Sequence, residues 1–528
     1  MPDHDVIVIG AGFAGLYQLH RLRESGFDVR VIEAGDDVGG TWYWNRYPGA
    51  RCDIESIEYS YSFDEDLQQE WVWTERFAAQ PELLRYLHHV ADRFDLRKDI
   101  VLGTRVLRLE WDEPATQWTV HTDDGATCTS RFVIAATGNL SMPAEPGFAG
   151  LEDFDGELYR TSNWPHEGVD LTGRRVGVVG TGSSGLQTVT AVAPVVGELT
   201  VFQRTPCFSA PAHNRPIAEE LAEAKTRYRE IREAARTAPD GYDCRVGTGL
   251  LVETQPAEVE KELDRRWGEG GLCLGWAYAD VMTDLRANEA VAEYFRNRIR
   301  TIVKDPAVAE KLCPTTYPIF SKRMCVDTGY YEVYNRDNVS LVDLTEEPIE
   351  RITPSGIVAG GREHTLDVIV LATGFDAMTG ALNAIEIQSG DRTLREAWAD
   401  GPRTYLGLMS AGFPNLFTVT GPQSPSVLSN MVTSIEQHVG WISRALEHLR
   451  EQGLTRMEAA PENEDAWVTT TNDLANLTLF PQAASWYMGA NVPGKERVFM
   501  PFVGGVGLYK QIADGVEAGC YHGFRFGD

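Results

Sequence analysis

The feature that most constrains the fold is a glycine-spaced turn set between an apolar strand and an amphipathic helix, and the chain carries it twice. The stretch "DVIVIGAGFAGLYQLHRLRESGFDVRVIEAG" (5–35) reads as strand, turn, helix and second strand, with Gly10, Gly12 and Gly15 in G-x-G-x-x-G spacing. The first glycine permits a tight turn, the second lets a pyrophosphate approach the backbone, and the third lets helix and strand pack closely. The second strand ends in Glu33, an acceptor suited to ribose hydroxyls. The arrangement returns in "RVGVVGTGSSGLQTVTAVAPVVGELTVFQRTP" (175–206) with Gly180, Gly182 and Gly185, but here the second strand ends in Gln203 and Arg204. A guanidinium at that place matches a 2′-phosphate, which a carboxylate would repel. Two different dinucleotides are therefore expected on one α/β chain built from two Rossmann-like units. Each half also closes with a strand running into Ala-Thr-Gly, "FVIAATGNL" (132–140) and "DVIVLATGFD" (367–376), the pattern of buried parallel strands.

A chain of 528 residues has room for two or three full cores, and its 43% apolar and 24% charged residues are those of an ordinary globular protein. The net charge of −29 opposes a phosphate backbone, so nucleic acid is not an expected partner and anionic cofactors need local basic residues. Eight scattered cysteines form no C-x-x-C pair, which argues against a disulfide framework, a metal site and the redox pair of a disulfide reductase. Neither a basic-then-apolar leader nor an apolar run of about 20 residues is visible, so a reducing cytoplasm, with no membrane, is the expected location. Residues 214–312 are charged and helix-patterned, and read as a helical insertion over the second nucleotide unit. A further amphipathic helix is expected over 430–452. Two such cradles in one chain are typical of flavoproteins that take electrons from a nicotinamide, so the predicted order is a first FAD-binding part over 1–140, a first NADP-binding part over 141–213, the insertion over 214–312, a second NADP-binding part over 313–380 and a second FAD-binding part over 381–528.

Longer stretches carry a family resemblance. "FDGELYRTSNWP" (154–165) has Phe154, Gly156, Trp164 and Pro165 in F-x-G-x-x-x-H-x-x-x-W-P spacing, and "GGTWYWNRYPGARCD" (39–53) places Gly40, Trp42, Tyr47, Pro48, Gly49 and Asp53. With "GARCDIESIEYSYSF", "GTGSSG", "YYEVYNRDNV", "ATGFDAMTGAL" and "SWYMGANVPGK", the chain resembles, over almost its whole length, the flavin-dependent Baeyer–Villiger monooxygenases, closest to the branch acting on phenylacetone and steroid ketones. In this setting 154–165 is expected to be a connector entering the NADP unit. One position departs: Arg160 stands where the pattern has His, keeping a donor and a positive charge but losing imidazole's acceptor and its titration near neutrality.

The resemblance implies bound FAD, reduced by NADPH, whose reaction with O2 gives a C4a-peroxyflavin that attacks a ketone carbonyl, so that an ester or lactone forms. It implies that Arg323, in "SKRMCVDTGYY" (321–331), stabilises the negative charge and that Asp53 holds it. It assigns Thr41, Trp42, Asp53, Tyr59 and Met431 to FAD beside the first glycine turn. It assigns Thr181, Ser183, Ser184, Gln187, Arg204, Thr205, Lys322 and Trp486 to NADP beside the second. Val427, Leu428, Ser429 and Met431, in "GPQSPSVLSNM" (421–431), are the implied ketone-pocket residues, with a hydrophobic aryl, cyclic or steroid-like ketone and O2 as small-molecule partners and no obligate protein partner. Two rivals stand beside this reading: a related flavin monooxygenase that oxidises soft nitrogen or sulfur, and a non-catalytic sensor that binds both nucleotides.

Overall fold

The computed structural model describes residues 2–527 and builds two large sheets, each around one of the glycine turns, with three small ones beside them. In the first, the strand His4–Ile9 lies between Val29–Ile32 and Thr127–Ala135, all parallel, with Ile100–Val101 extending one side and Leu416–Thr418 pairing the end of Thr127–Ala135. An antiparallel meander, Gln117–Thr122 and Val106–Asp112, continues it, and Glu386–Ser389 and Arg392–Thr393 complete it. In the second, the order is Val339–Asp343, Glu198–Gln203, Arg175–Val179, Val368–Leu371 and Glu157–Arg160, parallel throughout. Val6, Ile7 and Val8 are buried, as are Val176, Val178 and Val179. Burial on both faces explains why these strands read as continuous apolar runs.

The two turns are near copies. Gly10 has φ +103°, and a Cβ on it would stand 2.6 Å from the Ala136 carbonyl oxygen. Gly180 has φ +109°, and its Cβ would strike the Ala372 carbonyl oxygen. A Cβ on Gly15 or Gly185 would collide with the carbonyl of Gly10 or Gly180, respectively. Each Ala-Thr-Gly segment thus supplies the alanine against which a turn closes, and any side chain there would push the helix off its strand. Helices Phe13–Glu24 and Ser183–Val192 begin on Gly12 and Gly182, which offer no capping side chain. Their first-turn N–H groups are left for an anion.

Two expectations are corrected. The stretch 154–165 is more than a connector, because Glu157–Arg160 forms the edge strand of the second sheet. Its spacing follows from packing: a Cβ on Gly156 would stand 2.5 Å from the Phe154 ring and 2.6 Å from the Asp367 carbonyl oxygen, and Trp164 is buried against Tyr159. The helical insertion does not lie only over the second unit. Helix Ala218–Thr237 buries Leu221, Ala224 and Tyr228 in the core of the first sheet, whereas Ile299, at the end of helix Leu285–Ile302, joins the core of the second. The charged surface of these helices carries no mark of which sheet they cover.

Helix Met431–Gln452 is amphipathic as expected and carries His438, 1% exposed, stacked on Tyr509 at 5.3 Å. Its Nδ1 accepts the Thr420 N–H at 3.0 Å, and burial pushes the imidazole down to about 3. An unfolded histidine binds its proton near pH 6.5. The stability this residue contributes is therefore whole above about pH 6.5 and drains away as pH falls towards about 3, by several kcal/mol in total. In chemical denaturation between these limits, His438→Gln is expected to remove that part of the acid slope while lowering stability at neutral pH. An unchanged slope would place the acid sensitivity elsewhere. Among the described residues no helix is long and apolar enough to cross a membrane, no cluster of three metal ligands occurs, and all eight cysteines are free.

Candidate active site

The site lies where segments of both units and of the insertion converge. Asp53 ends the "GGTWYWNRYPGARCD" segment of the first unit, and Arg323 precedes the short strand Cys325–Asp327 that pairs Ser209–Pro211. Arg323 Nε–H and Nη2–H donate to Asp53 Oδ2 and Oδ1, both at 2.9 Å, and its Nη1–H donates to the Val427 carbonyl at 3.0 Å. This fork fixes the guanidinium plane from two sides. Burial opposes its charge, but the Asp53 carboxylate outweighs burial and holds the pKa well above the ordinary arginine value. Arg323 and Asp53 keep 21% and 24% of their side-chain surface open. The cation is therefore permanent, oriented and accessible.

Around it, Leu428, Met431 and Trp486 are half-exposed, while Val427, Ser429 and Tyr487 are buried. Trp486 rests against Tyr487 at 4.3 Å between ring centres. The Ser429 hydroxyl donates to the Ser426 carbonyl at 2.8 Å and pairs with Ser434 at 2.7 Å.

At the first turn, Glu33 accepts N–H bonds from Ala11 at 2.6 Å and Gly35 at 2.7 Å. Burial raises its pKa, and these backbone donors oppose the rise. The acid therefore braces the glycine turn while retaining lone pairs for a ribose. Trp42 Nε1–H donates to Tyr59 at 3.3 Å, and both rings are buried, whereas Thr41 is exposed. Gly12 and Gly40 lie back to back, with a Cβ on Gly12 reaching 3.3 Å from Gly40 Cα.

At the second turn, the Cβ of a residue at position 182 would enter open space. Thr181 Oγ1–H donates to the Thr205 carbonyl at 3.0 Å, Ser183 lies 3.6 Å from the Cys325 sulfur, and Ser184 is half-exposed. Gln187, expected at the cofactor, also ties the units together. Its Oε1 accepts from Tyr47 at 2.8 Å and its Nε2–H donates to the Arg51 carbonyl at 3.1 Å, while Gly49 packs beside its backbone. Arg204 is exposed, and neither it nor Lys322 has a carboxylate partner among the described residues. Lys322 sits over the Tyr317 ring at 4.6 Å, and burial followed by the Arg204 charge lowers its pKa. Two uncompensated cations that repel each other in an acidic protein make a ready site for a phosphate.

Arg160, the departing position, forms a two-bond pair with Glu145, at 3.0 and 2.8 Å. The adjoining segments 142–144 and 374–376 run side by side, with Ala144 N–H on the Gly374 carbonyl and Asp376 N–H on the Met142 carbonyl. Arginine is thus accommodated by a carboxylate near the crossing between units. Residues not anticipated from sequence include Tyr487, Tyr242 and Asp240, whose charges or dipoles act on Arg323 or are acted on by it. Tyr487 adjoins a recognised tryptophan, but Asp240 sits in "TAPDGYD", which looks like a turn and carries no motif.

Comparison with known proteins matches this arrangement. Residues 7–229 match the family described as pyridine nucleotide-disulphide oxidoreductase. The chain is 43% identical to an acetone monooxygenase (methyl acetate-forming) of Gordonia sp. (strain TY-5), over 98% of each chain. It is 41% identical to a Baeyer–Villiger monooxygenase of Pseudooceanicola batsensis, over 98% of this chain and 95% of that one. The structure of an oxidized steroid monooxygenase bound to NADP superposes with a TM-score of 0.95 at 49% identity, over 99% of each chain. With a forked arginine–carboxylate pair between two dinucleotide units and relatives matched end to end, the chain belongs to the Baeyer–Villiger monooxygenases.

Proposed function

We propose that the protein is an NADPH- and O2-dependent flavin monooxygenase that inserts one oxygen atom beside the carbonyl of a hydrophobic ketone. Ketone, O2, NADPH and a proton become ester or lactone, NADP+ and water. The observation that carries this reading is Arg323, held by Asp53 of the other unit and by the Val427 carbonyl of the loop flanking the pocket.

The glycine turns fit two dinucleotides, since a side chain at Gly10, Gly15, Gly180 or Gly185 would displace the backbone that closes each turn. FAD would be held by Gly10, Gly12, Gly15 and Glu33, with Thr41, Trp42, Tyr59 and Met431 nearby. NADP would be held by Gly180, Thr181, Gly182, Ser183, Ser184 and Gly185, with Thr205 and Trp486 beside it and Arg204 and Lys322 on the 2′-phosphate. Bound flavin supplies the electrons that activate O2. The chain's own work is positional and electrostatic. Arg323 remains cationic while negative charge develops on oxygen, and Asp53 prevents it from turning away. A preoriented donor of this kind contributes about 3–4 kcal/mol to a transition state in a dry site. Val427, Leu428, Met431 and Trp486 exclude water from the reacting atoms.

A yellow preparation supplied with NADPH, a ketone panel and 18O2 is expected to give esters or lactones carrying one heavy oxygen atom. If sulfoxide or N-oxide forms from thioether and amine controls while no ketone is converted, the nitrogen- and sulfur-oxygenase reading replaces this one. NADPH consumption with none of these substrates would favour neither. The cofactor choice has its own test. Arg204→Ala is expected to raise the KM for NADPH about 10- to 100-fold, as for loss of a charged hydrogen bond, while leaving that for NADH within about threefold. Equal changes for both nucleotides would remove Arg204 from the phosphate.

A further inference from the structure

Asp240 follows helix Ala218–Thr237 and stands beside the chemistry without a part in it. One carboxylate oxygen, Oδ2, accepts the Trp276 indole N–H, and the Asp240 carbonyl accepts the Asn430 N–H at 2.7 Å, which ties it to the loop 421–431. Oδ1 has no partner among the described residues, yet it is not one of the closed-off polar atoms. Asp240 is half-exposed and lies within the field of Arg323, while Tyr487 and Tyr242 lie within its own. This open, unpartnered carboxyl oxygen belongs to a residue tied at Asn430 to the loop whose Val427 carbonyl holds Arg323. An apolar ketone would leave it unsatisfied, which is costly in a desolvated pocket.

We propose that Asp240 is a substrate-recognition residue whose Oδ1 accepts a hydrogen bond from a hydroxyl on the ketone, so that the substrate class is a hydroxyketone with an otherwise apolar skeleton. A cationic amine could also donate to this oxygen, but Arg323 opposes a second positive charge in the same space. The inference rests on the ketone-oxygenase reading and specifies its substrate.

Burial pushes the Asp240 carboxyl up to about 7, against which the Trp276 hydrogen bond and the Arg323 charge pull it down. Its acceptor strength therefore rises as pH climbs through neutrality. Arg323 remains charged, and burial pushes up Tyr242, Tyr487 (to about 12) and Cys244, so none of these four changes charge between about pH 5.5 and 8.5, whereas burial pushes Glu58, which accepts the Asp243 N–H, up to about 7, and the Asp240→Asn variant separates its titration from that of Asp240.

The test measures kcat/KM of the holoenzyme for matched pairs of cyclic ketones with and without a remote hydroxyl across that pH range. Binding of each ketone to the oxidised, NADP-loaded enzyme is followed in parallel through the flavin spectrum. The ratio within each pair cancels effects common to both ketones. Wild type is expected to favour a hydroxyketone by at least about tenfold above neutral pH, with the ratio falling as pH drops through about 7. Asp240→Leu should bring the ratio to about one, and Asp240→Asn should keep part of the preference with no pH dependence. The Asn variant, nearly the same shape, covers the case in which leucine disturbs folding. A ratio the same in wild type and in a folded variant, or no hydroxyl preference in wild type at any pH, overturns the proposal. Absence of ester from every ketone, with selective binding retained in the flavin spectrum, would instead count against the ketone-oxygenase reading and leave the recognition role standing.

Discussion

Arg323→Ala is expected to lower ester or lactone formation by at least about a hundredfold, the cost of removing one preoriented charge-stabilising donor. The variant should still purify yellow and bind NADPH, because the glycine turns and the Arg204–Lys322 pair do not depend on it. NADPH oxidation should continue at a reduced rate, with its electrons appearing as hydrogen peroxide. Arg323→Lys should recover little: an ammonium keeps the charge but cannot make two parallel bonds to Asp53 while reaching the Val427 carbonyl. Product quantification beside peroxide release checks both. Conversion of ketone by Arg323→Ala at the parental rate would take from the Baeyer–Villiger mechanism its main chemical support.

The second large effect separates the two turns. Gly15→Ala should yield protein without flavin, because the new methyl group collides with the Gly10 carbonyl and drives the helix from its strand. Gly185→Ala, with the same collision at Gly180, should remain yellow and be reducible by dithionite, yet be reduced by NADPH at least about a hundredfold more slowly. Circular dichroism and a cooperative melt distinguish these outcomes from general unfolding. Flavin loss in Gly185→Ala with retention in Gly15→Ala would exchange the two assignments.

Much of this was legible in the sequence because the constraints are local. A turn needing positive φ, a helix pressed against its strand and a buried parallel strand each leave a mark within 30 residues, and so Gly10, Gly15, Gly180 and Gly185 could be read directly. The pairing of Arg323 with Asp53 spans 270 positions and became visible only through long family segments. What escaped was decided by packing, near and distant, that leaves no mark in the sequence. Nothing in the sequence announces that the Gln187 amide bonds Tyr47 and Arg51, or that the Ser429 hydroxyl bonds Ser426 and Ser434. Helix Ala218–Thr237 has the same charged exterior whichever sheet it covers, and Asp240 acquires meaning only when Trp276, Asn430 and Arg323 surround it.

The arginine and the carboxylate that orients it come from opposite sides of the junction between the units, and the third restraint comes from a loop belonging to neither glycine turn. The cation is therefore in working position only when three segments far apart in sequence agree in register, in the manner of a coincidence detector. An ångström of slippage between the units would leave both nucleotide grips intact and still disarm the chemistry. Natural variation along that seam, at Gly49, Gln187 or the Arg160–Glu145 pair, can then tune how faithfully reducing power is converted to product without touching any group that meets the substrate.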